Sequence, residues 1–469
     1  MLNISEFFTK YLKGEFTLDL MEITLTQRAV GQPLVFRGKG IVSFDQGDDH
    51  FSLRMFADLP STPEPGMPEW PAKEVTVVGE PIPKHHFFDF KATDLAGFEW
   101  HCDDIRIYPI AGRGVVLTSR LRSLTCVSTL STPIEQEHVT SYFFGGLELP
   151  FLQYVKTTVE VNGRQIGGGL SAEHHESQAG VFNFVASVVQ KHRDICLVRV
   201  TPRSGTLASS AESRINEALS FCFGLSLDAT ITERWQGTQQ IVTLKPLIHG
   251  SAGMFSPPVV PSMQFAEDFW RLFGAYFAYT VADAVGTRPH SLSRQFQRVF
   301  AGSRASHDLA ALVVSVAVEG LLKLDEFGDV PFRKAEPGEA ERQAISRCGK
   351  CKKPVVSPKN KLLTLQQNRF LSKAMVVAWD DLRNSAAHGE MSTENWREEQ
   401  IRQKCFSVSA LLNRLVFLMI GYNGEHTDFS LPAWPNSYFE GTQFEVLRLE
   451  WAKINHTTKR PLTPPRQRR

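Results

Sequence analysis

The chain has 469 residues, too many for one ordinary hydrophobic core, so two or three domains are expected. Apolar residues make up 42% and charged residues 22%, which excludes a mainly disordered chain. A formal net charge of +1 excludes a protein that coats long nucleic acid through a large basic excess, and leaves local contact with a small or folded RNA open.

Cysteine usage points to a reducing compartment. Cys102, Cys126, Cys196, Cys222, Cys348, Cys351 and Cys405 are too sparse for a disulfide scaffold. Residues 1–10 lack the basic start and apolar core of a signal peptide. No window approaches the ~20 uninterrupted apolar residues of a membrane span. The longest apolar stretch, 309–324, holds Ser315, Glu319 and Lys323 and reads as a buried core helix. The expectation is a cytoplasmic protein with no membrane partner.

The first half reads as strands. Phe16-Thr17-Leu18-Asp19-Leu20 alternates apolar and polar, as do residues 40–44 and, less strictly, 50–56. A proline-rich break covers 60–71. Further strand candidates are 74–78, 87–90, 105–110 and 115–125. Thr158-Val159-Glu160-Val161 alternates, and Asn162-Gly163 after it supplies the residue pair of a type I′ hairpin turn. Residues 182–189 and 195–200 continue the pattern. Many short strands at this spacing predict a sandwich or barrel-like β domain. Residues 209–223 look helical, with Ile215, Leu219 and Cys222 on one stripe and Ser209 or Ser210 as N-cap. Residues 231–244 return to strand.

The proline-rich stretch 246–261 marks the domain boundary. After it the period turns helical. Phe265, Phe269, Leu272, Phe273, Tyr276 and Thr280 form a wide stripe over 264–283. A shorter helix spans 292–301, with Ser291 as its N-cap, and 309–324 is apolar nearly all round. A long helix spans 362–387 with Phe370, Leu371, Met375, Trp379 and Leu382 on its buried side, and 401–422 closes the set. Five helices with mostly short connections predict an up-and-down bundle. The expected class is α+β and multidomain: a β-rich domain over 1–246, a helical bundle over 262–455, and a basic, proline-containing tail over 456–469 expected to be disordered.

Asp380-Asp381-Leu382-Arg383-Asn384-Ser385-Ala386-Ala387-His388-Gly389 carries the residues that could do chemistry. RNA supplies its own nucleophile, the 2′-OH, so cleavage needs no metal. The protein must deprotonate that hydroxyl, stabilise charge on the phosphate and protonate the departing 5′-oxygen. His388 can exchange protons near neutral pH. Arg383 stays charged and can fork onto phosphate oxygens. Asn384 can donate and accept hydrogen bonds and orient the scissile group. On a regular helix, however, positions five apart lie roughly 140° apart round the axis. Either the helix distorts near Ala386-Ala387, or a symmetric partner completes the site, which predicts a homodimer. The bland alternative is that Arg383 and His388 are cations favoured at a helix C-terminus.

Arg383-Asn384-x-x-x-His388, at the end of a long helix in a C-terminal bundle, resembles the R-x4-6-H motif of HEPN ribonucleases. Residues 316–322 in the central helix and Trp379-Asp380-Asp381-Leu382 before the motif resemble the HEPN domain of ApeA-like antiphage proteins. The resemblance is good over 262–451 and looser before it. It implies metal-independent cleavage to 2′,3′-cyclic phosphate and 5′-OH ends, sites built in a homodimer or higher homo-oligomer, and a role in abortive antiphage defence. It further implies tRNA as the target, through the anticodon loop. Unrestrained cleavage of tRNA would kill the host, so control is required, and the β domain is expected to be the sensor or regulator, with a phage protein as trigger.

Glu319 sits inside an apolar helix, where a carboxylate needs a partner. It pairs with Arg383 or positions His388, or else points to solvent or another base. Cys348-Gly349-Lys350-Cys351 is half of a zinc knuckle, and Lys350, Lys352 and Lys353 beside it would suit an RNA contact. A structural zinc would need ligands from His101, Cys102, Cys405 or another histidine. The alternative is two loop cysteines. Gly167-Gly168-Gly169 lacks the Lys-Ser/Thr pair of a phosphate loop and reads as a flexible loop. His85-His86 and His174-His175 read as surface histidines, and residues 45–49 as an acidic turn rather than a calcium loop. The competing function is a catalytically silent HEPN bundle that binds RNA or nucleotide or serves oligomerisation, with recognition by the β domain.

Overall fold

The apolar–polar alternation of the first half builds one very large sheet. The computed structural model describes residues 1–29, 33–44, 48–58, 82–110, 115–145, 147–161, 164–189, 192–247, 255–283, 288–331, 356–388 and 398–457. The chain divides into two compact units, Met1–Glu176 with Val181–Glu212 and Asp228–His249, and Ser177–Gly180 with Ser213–Leu227 and Gly250–Arg469. A large N-terminal antiparallel sheet region is thus followed by C-terminal helices, an α+β architecture.

The first unit opens with helix α1 (Ser5–Lys13) and continues as strands β1 (Phe16–Gln27), β2 (Val35–Phe44), β3 (Phe51–Ala57), β4 (Phe88–Asp94), β5 (Glu99–Ile105), β6 (Ile107–Ile110), β7 (Val115–Leu121) and β8 (Leu124–Thr129). Then come β9 (His138–Phe144), β10 (Gln153–Val161), β11 (Arg164–Ala179), β12 (Phe182–Val189), β13 (His192–Pro202), β14 (Ile231–Gln236) and β15 (Gln239–Leu244). The fifteen strands form one sheet in the order β10-β11-β12-β13-β9-β14-β15-β8-β5-β4-β1-β2-β3-β7-β6.

Packing of α1 explains the curvature of that sheet. Tyr11 stacks obliquely on Phe16 of β1 at 5.2 Å and meets Phe51 of β3 edge-on at 6.5 Å. Phe8 meets Tyr142 of β9 at 5.2 Å, and Phe7 meets Trp100 of β5 edge-on at 6.0 Å. β9 and β3 stand eight strand steps apart in the order, roughly 38 Å on a flat sheet at about 4.8 Å per step. One short helix touches both, so the sheet curls around it and α1 plugs the core. The expected sandwich or barrel is therefore a single curled sheet.

Two details depart from the sequence reading. Residues 231–244 are two strands, β14 and β15, paired antiparallel and turned at Gly237, whose φ of +57° favours glycine. Gly167-Gly168-Gly169, expected as a flexible loop, lies within β11, opposite Val159, Thr158 and Thr157 of β10. β10 and β11 pair with Val161 opposite Arg164, so the segments flanking Asn162-Gly163 form the expected hairpin. The two turn residues lie outside the described residues, as does the expected strand at 74–78.

The second unit is helical. Helix α2 (Ala211–Phe223) joins it from residue 213 onward: Phe221 stacks on Tyr276 and meets Phe296 edge-on, both at 4.9 Å. The fully buried Arg214 donates to Glu217 at 2.7 Å and to the Arg288 carbonyl at 3.2 Å. Then follow α3 (Ala266–Ala282), α4 (Ser291–Ser303), α5 (His307–Leu321), α6 (Pro358–Gln367), α7 (Lys373–His388), α8 (Glu398–Ile420) and α9 (Thr442–Thr457). A hairpin of β16 (Asn423–Thr427) and β17 (Asn436–Glu440) lies between the last two helices.

The expected set of five helices needs correction. The long helix read over 362–387 is two helices, because Arg369 adopts φ +64° and stops α6. Ser372 then opens α7 by accepting from the Met375 backbone N–H at 3.2 Å. The cap of α4 is His290, not Ser291: its Nδ1 accepts from the Leu292 N–H at 3.1 Å. α9 runs through residues 456–457, and the rest of the expected tail lies outside the described residues. Among the described residues one helix, α8, is long and apolar enough to cross a membrane, and 72% of its apolar window is buried within the fold.

Candidate active site at the α5–α7 contact

Two apolar helices bring the candidate residues together. α5 starts at Ser306, whose hydroxyl accepts from the Leu309 N–H at 3.1 Å. It buries Ala311, Val314, Val318 and Leu321. α7 buries Met375, Val376, Ala378, Trp379 and Leu382, an i, i+1, i+3, i+4, i+7 stripe that faces the bundle.

The helices are fastened rung by rung. The 2% exposed Trp379 donates its indole N–H to the Ser315 carbonyl at 3.2 Å. One turn further along both helices, the Arg383 Nε donates to the Glu319 carboxylate. Both rungs step four residues toward the C-terminus, so α5 and α7 run in the same sense. α8 runs the other way: Lys404 meets Asp381 at 2.6 Å, and Arg414, further on, reaches back to the Phe370 carbonyl at 3.3 Å.

The two rungs differ in wetness. The first is dry, while Glu319 is 22% and Arg383 47% exposed at the side chain. The Arg383 guanidinium carbon lies 5.7 Å from the Trp379 ring centroid, over its face. Indole and carboxylate together limit where this arginine can go. Its Nη atoms meet no carboxylate among the described residues, which leaves that edge able to receive an anion. Among the described residues Arg383 therefore meets Glu319, and not the terminal carbonyls of its own helix.

Asn384 follows, exposed. The α-helix continues unbroken to His388, with no distortion at Ala386-Ala387. The position of His388 is thus roughly 140° from Arg383 round the axis and only about 40° from Asn384. The His388 side chain lies outside the described residues. So do Lys350, Lys352, Lys353, Cys348 and Cys351. Of the cysteines considered as further zinc ligands, Cys102 and Cys405 are both buried, and burial pushes their thiols up to about 11 and about 12. Among the described residues no group of three or more His, Cys, Asp or Glu is arranged to hold a metal.

Sequence reasoning missed two parts of this site. The sequence places Trp379 in the core and in the run that resembles the family, but not under Arg383, although its place four residues before that residue puts it one helical turn beneath the side chain. The flanking pairs, Lys359 with Asp380 at 2.7 Å and Lys404 with Asp381, join residues more than twenty positions apart and left no local signal.

No family model matches the chain, and neither a curated protein nor a solved structure matches it.

Proposed function

We propose that the chain is a metal-independent RNA endonuclease of the HEPN type, acting in abortive antiphage defence on tRNA, in the anticodon loop. The observation that carries the reading is the Glu319–Arg383 ion pair, which aims a half-exposed guanidinium from the contact of two packed helices. A phosphodiester passing through a pentacoordinate state gains negative charge on its equatorial oxygens. A fixed guanidinium is suited to hold that charge, and a carboxylate behind it limits the side chain's freedom.

In this reaction His388 takes the proton from the RNA 2′-OH. The 2′-oxygen attacks the adjacent phosphorus, the bond to the 5′-oxygen breaks, and that oxygen leaves as a hydroxyl with a proton from the imidazolium so formed or from water. The products are a 2′,3′-cyclic phosphate and a 5′-OH. Asn384 orients the scissile group by hydrogen bonds. Because α7 is an unbroken helix, Arg383 and His388 of one chain do not share a face. Two copies of α7 facing each other across a two-fold axis would set His388 of one subunit beside Arg383 of the other, so the working enzyme is a homodimer.

Incubation of the purified chain with bulk tRNA in excess chelator tests the reading. The expected result is discrete cuts bearing cyclic phosphate ends, lost in His388→Ala and Arg383→Ala. No cutting by folded wild-type protein under any condition tried, including lysate from phage-infected cells, would favour the catalytically silent bundle.

A further inference from the structure

On the outer face of the first unit, β2, β3, β7 and β6 lie side by side. Their inward residues, among them Val42, Leu53, Met55 and Leu117, are buried. The outward residues form cross-strand rows. Ser43 lies opposite Ser52, and Ser52 opposite Arg120. One pleat along, Ile41 lies opposite Arg54, Arg54 opposite Thr118, and Thr118 opposite Tyr108. Arg54 and Arg120 are thus diagonal neighbours, with backbones roughly 7–8 Å apart in such a pair.

The charge of these rows is unbalanced. Arg37 and Lys39 on β2 add two more outward cations. Among the described residues none of these four cations lies within ion-pair distance of a carboxylate. Neighbouring strands behave differently: Arg28 beside β1 pairs with Asp89 and Asp104, and Lys91 on β4 meets Glu99 at 3.1 Å. In the loop before β3, the His50 ring bonds Asp49 at 2.8 Å and, with a smaller contribution from the Arg120 charge, holds its carboxyl below the usual value. Two adjacent guanidiniums repel each other, and a bound anion relieves that repulsion.

The face is also shaped. A cleft of about 720 Å³ opens on it, lined by Ser43, His50, Ser52, Arg54, Tyr108 and Arg120. That volume lies within the roughly 300–1,000 Å³ range of small-ligand sites. Two aromatic rings stand out of the sheet: Phe56 of β3, 50% exposed, and Tyr108 of the edge strand β6, 48% exposed. Each carries a guanidinium over its face, Arg54 at 5.5 Å from the Phe56 centroid and Arg106 at 5.8 Å from that of Tyr108. Gly38 and Gly40 of β2 hold β3 close, since an added Cβ would collide with the Phe56 and Arg54 carbonyl oxygens.

Forked cations and hydroxyls recognise phosphate oxygens, and exposed rings on an antiparallel sheet stack bases that are free of a duplex. We infer that this face binds a phosphorylated nucleotide, free or as one unit of a single strand, with Arg54 and Arg120 on the phosphate and Tyr108 under the base. The site is independent of the helical residues assigned to cleavage.

Fluorescence anisotropy on the full chain tests it with a labelled oligodeoxythymidine strand, which has no 2′-OH and cannot be cut by the proposed reaction. AMP is titrated separately by calorimetry. The strand is expected to bind, and Arg54→Glu with Arg120→Glu to weaken it at least about thirtyfold. Tyr108→Ala should weaken it about tenfold. AMP binding with the same losses identifies the free nucleotide as the source, and binding of the strand alone identifies the strand. Affinity untouched by the double charge reversal and by Tyr108→Ala, or no binding of either probe, overturns the inference.

Discussion

Arg383 donates its Nε–H to the carboxylate of Glu319 while its guanidinium lies over the face of Trp379, so one side chain is held by the two helices that cross beneath it. The relationship is non-local, spanning 64 positions in the chain. It is also partly wet, which decides what it can contribute. An ion pair with one partner 47% exposed is screened and adds little to folding. Its effect lies in the direction in which the arginine points.

Glu319→Gln should therefore separate stability from activity. Thermal unfolding should shift by the equivalent of about 0.5 kcal/mol or less. Single-turnover cleavage of RNA should fall about tenfold, because a loosely held guanidinium is misplaced at the phosphate. A variant with full cleavage rate would remove Glu319 from the site.

Trp379 should behave in the opposite way. Its ring is buried and joins α7 to the Ser315 carbonyl of α5. Trp379→Ala should cost about 3–5 kcal/mol in urea unfolding. Trp379→Phe keeps most of the packing but leaves that carbonyl without its indole donor, which costs about 1–2 kcal/mol.

Acid should unfold the helical unit in part through His426. Burial, with help from the Arg414 charge and against that of Asp428, lowers this histidine from 6.5 to about 4. Between those values the unfolded chain binds the proton and the folded chain does not. Stability is then fully present above the unfolded value and is lost as pH falls toward about 4. The loss from this group amounts to about 3 kcal/mol. His426→Phe should flatten the slope of unfolding free energy between pH 6.5 and 4. An unchanged slope would contradict the assignment. His175, expected as a surface histidine, is instead buried in the first unit; burial lowers it to about 4, so it should add a separate loss there in the same window that persists in that variant.

If two subunits share each site, specific activity must depend on concentration. Dilution through the dimer dissociation constant should lower the cleavage rate per subunit. Mixing inactive His388→Ala with inactive Arg383→Ala should restore part of it. Concentration-independent rates together with a monomer in sedimentation would contradict the shared site.

The sequence carried the local part of this picture. Alternation at 16–20 and 40–44 marks strands whose other face is wet, and both are found in β1 and β2. β9 gave no such signal because five consecutive residues, 139–143, are buried, which erases the alternation. α1 is not legible although Phe7, Phe8 and Tyr11 form an apolar stripe, since a nine-residue helix offers only about two and a half turns. The break between α6 and α7 depends on Arg369 in a left-handed conformation, a choice that residue type alone does not disclose.

The candidate site divides the same way. Arg383, Asn384 and His388 are adjacent in the chain and could be found by their chemistry. Glu319 could be flagged as a carboxylate in an apolar helix, but its partner became visible only once α5 and α7 were packed. The outward rows of β2, β3, β7 and β6 combine segments from 41 to 120, and no window of the sequence contains them together.

The most direct measurement is sequencing of RNA ends, with capture of 2′,3′-cyclic phosphates, from phage-challenged bacteria expressing either the wild-type chain or His388→Ala. The account predicts new discrete ends concentrated in tRNA anticodon loops with the wild type and their absence with the variant. Identical end profiles in the two strains, with phage protection intact in both, would contradict it.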